Sequence, residues 1–206
     1  MRPLLATEKG LKVKTRQIGK NRPRTILCRS AEMEVLIREE GAKLVDDWQQ
    51  KTFKYDGLIY MMLVEGEQGP VPLYIGKTET LGKGNGNLSV NIKGLATNTA
   101  NFARWGDNYA YHIGDLSAVA LPGHDSKKAN PKYKDWAACL FEEYPSANPI
   151  LKRQVYFWTK AWSSKDSGPW IEFGPTSLTF LEYLLIGLAS SAFGNILLNR
   201  EGRNKV

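Results

Sequence analysis

Two short apolar segments, Gly57-Leu58-Ile59-Tyr60 and Leu73-Tyr74-Ile75-Gly76-Lys77-Thr78, each carry one tyrosine. Between them, Glu65-Gly66-Glu67-Gln68-Gly69-Pro70 is a polar connection of hairpin type. The segments, roughly 57–65 and 71–77, are therefore predicted to pair antiparallel and to present neighbouring side chains on one face. That pairing brings two phenols into one site. A phenol of ordinary pKa, about 10, is a poor base, but cations held close to it favour the phenolate and open proton transfer from water. Glu182, in Phe180-Leu181-Glu182-Tyr183-Leu184-Leu185-Ile186, is the third residue of chemical interest. A carboxylate inside an otherwise apolar helix must bind a partner or turn to solvent.

The elements that must hold these residues follow from pattern. Ser30 is the expected N-cap of a helix over about 31–50, with apolar positions at Val35, Leu36, Leu44, Val45 and Trp48 and a break expected at Gly41. The glycine- and asparagine-rich Gly82-Lys83-Gly84-Asn85-Gly86-Asn87 reads as a mobile loop. Helical pieces follow at about 98–105, at Tyr109 through Leu121 and at 133–143, the last inside a proline-punctuated insertion over about 122–150. Gln154 through Trp162 is the strongest isolated strand signal, almost wholly β-branched or aromatic, and is predicted to complete a three-stranded sheet. Gly174-Pro175-Thr176-Ser177 opens a long apolar helix from Leu178 to about Ala192, closed by Gly194.

The net charge of +7 is unevenly placed. Residues 1–30 hold nine basic side chains against Glu8 alone, which leaves 19 basic and 20 acidic side chains for the rest. A basic arm on a nearly neutral body is an electrostatic footprint for a polyanion. Arg16, Lys20, Arg22 and Arg24 in the arm, with Lys83, Asn85 and Asn87 in the loop, are the candidate contacts to nucleic acid. No run of about 18 apolar residues and no signal-like start occurs, so no membrane partner and a cytoplasmic location are expected. Cys28 and Cys139 lie far apart without a CxxC or nearby histidines, and are read as structural.

Written as GLIY and YIG, the two tyrosine segments resemble the opening signature of the GIY-YIG nuclease family. The resemblance spans about 57–199 and rests on short motifs in a fixed order: strand, strand, helix with an arginine, strand, helix with a glutamate, then an asparagine. In that order the arginine is matched by Arg104, the glutamate by Glu182, and the asparagine by Asn199, with Asn195 as a second candidate. The implied fold is α+β, a small three-stranded antiparallel sheet flanked by helices. The implied domains are a basic arm and helix at 1–56, a nuclease core at 57–199 with the insertion at about 122–150, and a polar tail at 200–206.

The resemblance also implies a reaction, magnesium-dependent hydrolysis of DNA phosphodiester bonds. Glu182 is the expected ligand of one Mg2+, for which Mn2+ can substitute, completed by waters and phosphate oxygens. Arg104 is the expected clamp on the nonbridging oxygens. Tyr74 is the first choice for general base, with Tyr60 hydrogen-bonded to it, although the sequence does not separate the two roles; Lys77, the metal and Arg104 supply the field. His112 is a competing proton acceptor; the family's second helix residue has no clear match, since position 108 is Asn with Tyr109 beside it. Among family members, a compact form with built-in recognition segments looks like a type II restriction enzyme acting on double-stranded DNA as a homodimer or homotetramer. Homing, repair or phage-type nucleases of the same family are alternatives.

Two rivals lie outside this reading. Gly76-Lys77-Thr78 imitates the end of a phosphate-binding loop, but Val71 stands where that pattern needs glycine. The second is an inactive nucleic-acid-binding protein on the same scaffold, with Trp105, Trp158 and Trp162 stacking on bases.

Overall fold

The computed structural model describes residues 1–20, 23–82, 87–95, 105, 112–125 and 130–202. The first 30 residues, expected to be extended or strand-like with no apolar periodicity to bury, do form short strands, but these bury apolar side chains and fold onto the body. Strand β1 (Arg2–Pro3) pairs antiparallel with β6 (Val155–Trp162). Leu4 and Leu5 enter the core at 0% and 1% exposure. Strands β2 (Thr15–Ile18) and β3 (Arg24–Leu27) form a separate antiparallel ribbon. It is anchored where Leu27 N–H donates to Ser117 Oγ (3.0 Å) and where the His124 ring meets the Thr25 carbonyl (2.8 Å).

Helix α1 (Ala31–Gln50) begins at the predicted cap: Ser30 Oγ accepts from the Met33 N–H at 2.9 Å. It continues through Gly41, the expected break. A Cβ there would lie 2.6 Å from Leu95 Cδ1, so the missing side chain makes room for the segment that follows the short helix α2 (Val90–Lys93). Asp47 ends the helix by accepting from the Lys54 and Tyr55 N–H groups and from Thr52 Oγ1.

Strands β4 (Gly57–Gly66) and β5 (Gly69–Glu79) pair antiparallel around the turn Glu67-Gln68. The main sheet has the order β1-β6-β4-β5, antiparallel throughout. It is therefore four-stranded where the sequence pattern predicts three. The extra strand is two residues long and includes Pro3, which an edge position tolerates. Helix α3 (His112–Ala120) and helix α4 (Pro131–Leu140) precede β6, and α5 (Leu178–Phe193) follows it. The expected helix over 98–105 lies outside the described residues, apart from Trp105.

Strand alternation then divides the apolar residues between two cores. Leu58, Tyr60, Met62 and Val64 face α1, α3 and α4, joining Met33, Ile37, Leu116, Trp136 and Phe157. Ile59, Ile75 and Trp162 face the other way and are sealed by Leu178, Leu181, Ile186 and Ala189 of α5. Among the described residues no helix is long and apolar enough to cross a membrane.

Candidate active site

The register of β4 on β5 sets Tyr60 opposite Gly76 and Met62 opposite Tyr74, so both tyrosines stand diagonally on one face. Gly76 is what lets them share it. A Cβ at Gly76 would lie 2.6 Å from Cε2 of the Tyr60 ring and 2.9 Å from its hydroxyl, so the ring lies directly over the glycine. Tyr60 is 3% exposed, stacked on Phe157 at 6.3 Å and edge-on to Trp105 at 5.9 Å. The expectation that both phenols line the site is corrected on this point: Tyr60 is core beneath the site.

Tyr74 is half-buried on the edge strand and its hydroxyl reaches outward. Lys132 Nζ donates to it at 3.2 Å and lies 4.5 Å from its ring centroid. Asn130 fixes that lysine by capping α4, its Oδ1 accepting from the Lys132 N–H at 2.9 Å. Behind Tyr74 the rings of Trp136 (4.9 Å) and His112 (5.6 Å) close the wall. His112 is 2% exposed and its Nδ1 meets the Tyr133 hydroxyl at 2.8 Å. The expected proton acceptor is thus a buried support for the tyrosine, and it does not line the cleft.

Tyr74, Ile75, Lys132, Glu182, Tyr183, Ile186, Asn199, Arg200 and Glu201 line one cleft of about 280 Å3 at the outer edge of β5. Glu182 is half-buried there and accepts from the Lys77 backbone N–H. Burial pushes its carboxyl above the ordinary carboxylate range. The Lys77 ammonium and N–H oppose that shift, and the charges of Glu79 and Glu201 add to it.

Lys77 alternates to the α5 face, opposite Ile59, and its ammonium pairs with Glu79. It therefore supports Glu182, and the cation against the phenol is Lys132. Asn199, 6% exposed, donates from Nδ2 to the Ile75 carbonyl (2.8 Å) and accepts the Ile75 N–H at Oδ1 (2.9 Å). With Leu198 N–H donating to the Leu73 carbonyl at 2.7 Å, it pins the chain end along β5. Its role is positional, and Asn195 is exposed in a neighbouring hollow. Arg200, whose Nη2 donates to Asp135 at 2.7 Å, and Lys132 are cations of the cleft that sequence reasoning missed. The tail from 200 onward, read as a polar end, thus begins inside the site.

Arg104 lies outside the described residues, as do Arg22, Lys83 and Asn85. Arg16 is exposed on β2, Lys20 is exposed at the ribbon's end and Arg24 is half-buried on β3. Asn87 is exposed where its carbonyl accepts the Gly82 N–H at 2.9 Å and closes the loop. Of the tryptophans proposed to stack on bases, Trp105 and Trp162 are buried at 0% and 6% exposure. Trp162 further donates its Nε1–H to the Thr176 carbonyl. Two of the rival's three platforms are core residues.

Among the described residues no group of three or more histidine, cysteine, aspartate and glutamate side chains converges. Glu182 and Glu201 are the carboxylates of the cleft wall. Comparison with protein-family models, curated proteins and solved structures returns no match to this chain, so the chemistry rests on the residues themselves.

Proposed function

We propose that this chain is a metal-dependent endonuclease of the GIY-YIG type that hydrolyses DNA phosphodiester bonds. The observation that supports it best is the shared cleft, which holds a phenol, Tyr74, beside an ammonium, Lys132, and faces them with the partly desolvated carboxylate of Glu182. These are the parts that hydrolysis of a phosphodiester needs: a proton acceptor, positive charge for the phosphate and an oxygen donor for a metal.

The donor set fits a hard divalent cation. Glu182 carries an anionic oxygen raised in energy by burial and by the neighbouring Glu79 and Glu201, an imbalance that Mg2+ or Mn2+ relieves. When bound, such an ion stabilises negative charge developing on the phosphate and the departing oxygen. Tyr74 takes the proton from the attacking water, and Lys132 supplies the nearby charge that suits a phenol to that task. Arg200 at the cleft wall, together with Arg104, holds nonbridging oxygens. Tyr60, His112 and Asn199 hold Tyr74 and the β5 edge in place.

Recognition of duplex DNA falls to the β2–β3 ribbon, whose Thr15, Arg16 and Gln17 are exposed in succession; a two-stranded ribbon has the width to enter a major groove. A cytoplasmic type II restriction enzyme is the form of nuclease this arrangement suits.

The test is plasmid cleavage in Mg2+ against EDTA, beside Glu182→Ala. Wild type nicks or linearises DNA only with the metal. Glu182→Ala cuts at least about a thousandfold more slowly and still shifts the same duplex on a gel. Cleavage that persists in Glu182→Ala ends the reading. Binding by wild type without any cleavage transfers it to the inactive-scaffold rival.

A further inference from the structure

A cavity of about 450 Å3 lies between the end of α1, the end of β5 and the start of α5, and plays no part in the proposed cleavage. Its size is within the range that small organic ligands occupy. Trp48, Phe53 and Tyr55 give it aromatic walls, and Asp47, Asp56 and Glu79 give it carboxyl groups. Among the described residues that line it, none is lysine, arginine or histidine. A site so built disfavours phosphate and carboxylate ligands and attracts cations, through its charge and through the negative faces of its rings.

The three carboxyl groups are not equivalent. Asp47 is engaged by the chain, accepting from the Lys54 and Tyr55 N–H groups and from Thr52 Oγ1, and Glu79 pairs with Lys77. Asp56 is half-buried. Its Oδ2 accepts the Leu178 N–H at 3.3 Å, and its Oδ1 takes no hydrogen bond among the described residues. The cavity thus presents one uncommitted carboxylate oxygen and three rings, a balance that suits a single positive charge with an apolar skin. A primary ammonium has three N–H donors to satisfy, whereas methyl groups in their place rest against aromatic faces. One of the walls already meets an ammonium of its own chain: Lys54 Nζ stands 5.1 Å from the Tyr55 ring centroid.

Phe53 is the residue that folding alone does not explain. Its φ is +49°, a left-handed conformation unfavourable for a bulky side chain, and its ring is 62% exposed. Lys51, at φ +57°, is left-handed as well, but it is the C-cap of α1 and its N–H donates to the Asp47 and Trp48 carbonyls. Phe53 makes no hydrogen bond among the described residues and joins neither core. Strained backbone of this kind clusters at ligand clamps, and here it holds an exposed ring on the wall of the cavity.

We propose that this cavity binds a methylated ammonium group, with Trp48, Phe53 and Tyr55 around the methyls and Asp56 as the counter-ion. Small quaternary amines and trimethylated lysine in a protein share that chemistry, and the test separates the two sources.

The test needs neither DNA nor metal, so its outcome is separate from that of the cleavage reading. The full chain is titrated by calorimetry with choline and with a short peptide carrying trimethyllysine. One or both bind with a Kd below about 1 mM, and choline binds at least about tenfold more tightly than its uncharged isostere with carbon in place of nitrogen. Binding of choline alone identifies a small amine, and a tighter peptide identifies a protein side chain. Phe53→Gly removes one wall and the strained φ together, so its melting temperature stays at or above that of wild type while affinity falls at least about tenfold. Asp56→Asn keeps an acceptor for the Leu178 N–H and weakens the cation about tenfold, leaving the uncharged isostere unaffected. Neither cation binding at up to about 10 mM overturns the proposal, as does an isostere bound as tightly as choline or wild-type affinity in both variants.

Discussion

At the scale of single residues, Glu182 is held at a cost to folding. Its carboxyl lies above the ordinary value near 4.5, with burial the largest cause. An acid whose folded pKa is raised contributes no penalty below its unfolded pKa, since both states are protonated. The penalty grows as pH rises through the window above 4.5 and is complete beyond the folded pKa. Glu182→Gln is therefore expected to melt higher than wild type at pH 7 to 8 in EDTA, with the gain vanishing below about pH 4. A lower melting temperature at pH 7 would identify Glu182 as a structural anchor instead. Lys132 and Tyr74 form the second residue-level test. Tyr74→Phe removes the proposed base, Lys132→Ala removes the cation beside it, and either should slow cleavage by about 10²–10⁴-fold. Because the two act as a unit, the double variant should be little slower than the worse single one. Full additivity in single-turnover rates would separate the two side chains.

Among the elements, the β4–β5 hairpin depends on one absent methyl group. Gly76→Ala places a carbon 2.6 Å from the Tyr60 ring, which is wedged between Phe157 and Trp105 and has little room to yield. Overpacking of this kind costs about 1–3 kcal/mol, and each kcal/mol lowers Tm by roughly 2–4 °C in a chain of this size. Thermal melting checks it, and an unchanged Tm would mean that the ring is free to move. The same hairpin illustrates what was legible in the sequence. Alternation and turn residues located β4, β5 and β6 to within a few residues, and Ser30 and Ser177 marked the starts of α1 and α5, because those signals are local. Strand β1 was hidden because two residues, Arg2 and Pro3, have no strand signature and take theirs from pairing with β6. Lys132 was hidden for a similar reason: it stands 58 positions from Tyr74 and meets it only through the packing of α4. Lys77 was legible in principle, since period-two alternation already puts it on the opposite face from Tyr74.

For the whole molecule, the distribution of charge decides how it meets a polyanion. Among the described residues, the excess of the first 30 is carried by backbone that packs onto the body. The charges are not equivalent. Arg29 is buried, with Nη2 paired to Glu34 at 3.0 Å and Nη1 donating to the Trp105 carbonyl at 3.1 Å, and it serves the fold. Lys14, Arg16 and Lys20 are exposed along β2 and at its end. On the proposed reading these three contact phosphate, and each contact neutralised releases condensed counterions. Changing all three to glutamine should weaken duplex binding and reduce the slope of log K against log salt by about 0.9 for each lost contact, approaching ~2.7 in total. Fluorescence anisotropy on a short duplex from about 50 to 200 mM KCl gives the slope directly. The melting temperature should stay near that of wild type, since surface charges seldom change stability by more than ~0.5 kcal/mol. An unaltered slope would mean that DNA engages another surface, leaving the ribbon as covering for α3. A slope reduced by one contact or less would place only one of the three at the backbone and free the others to read base edges.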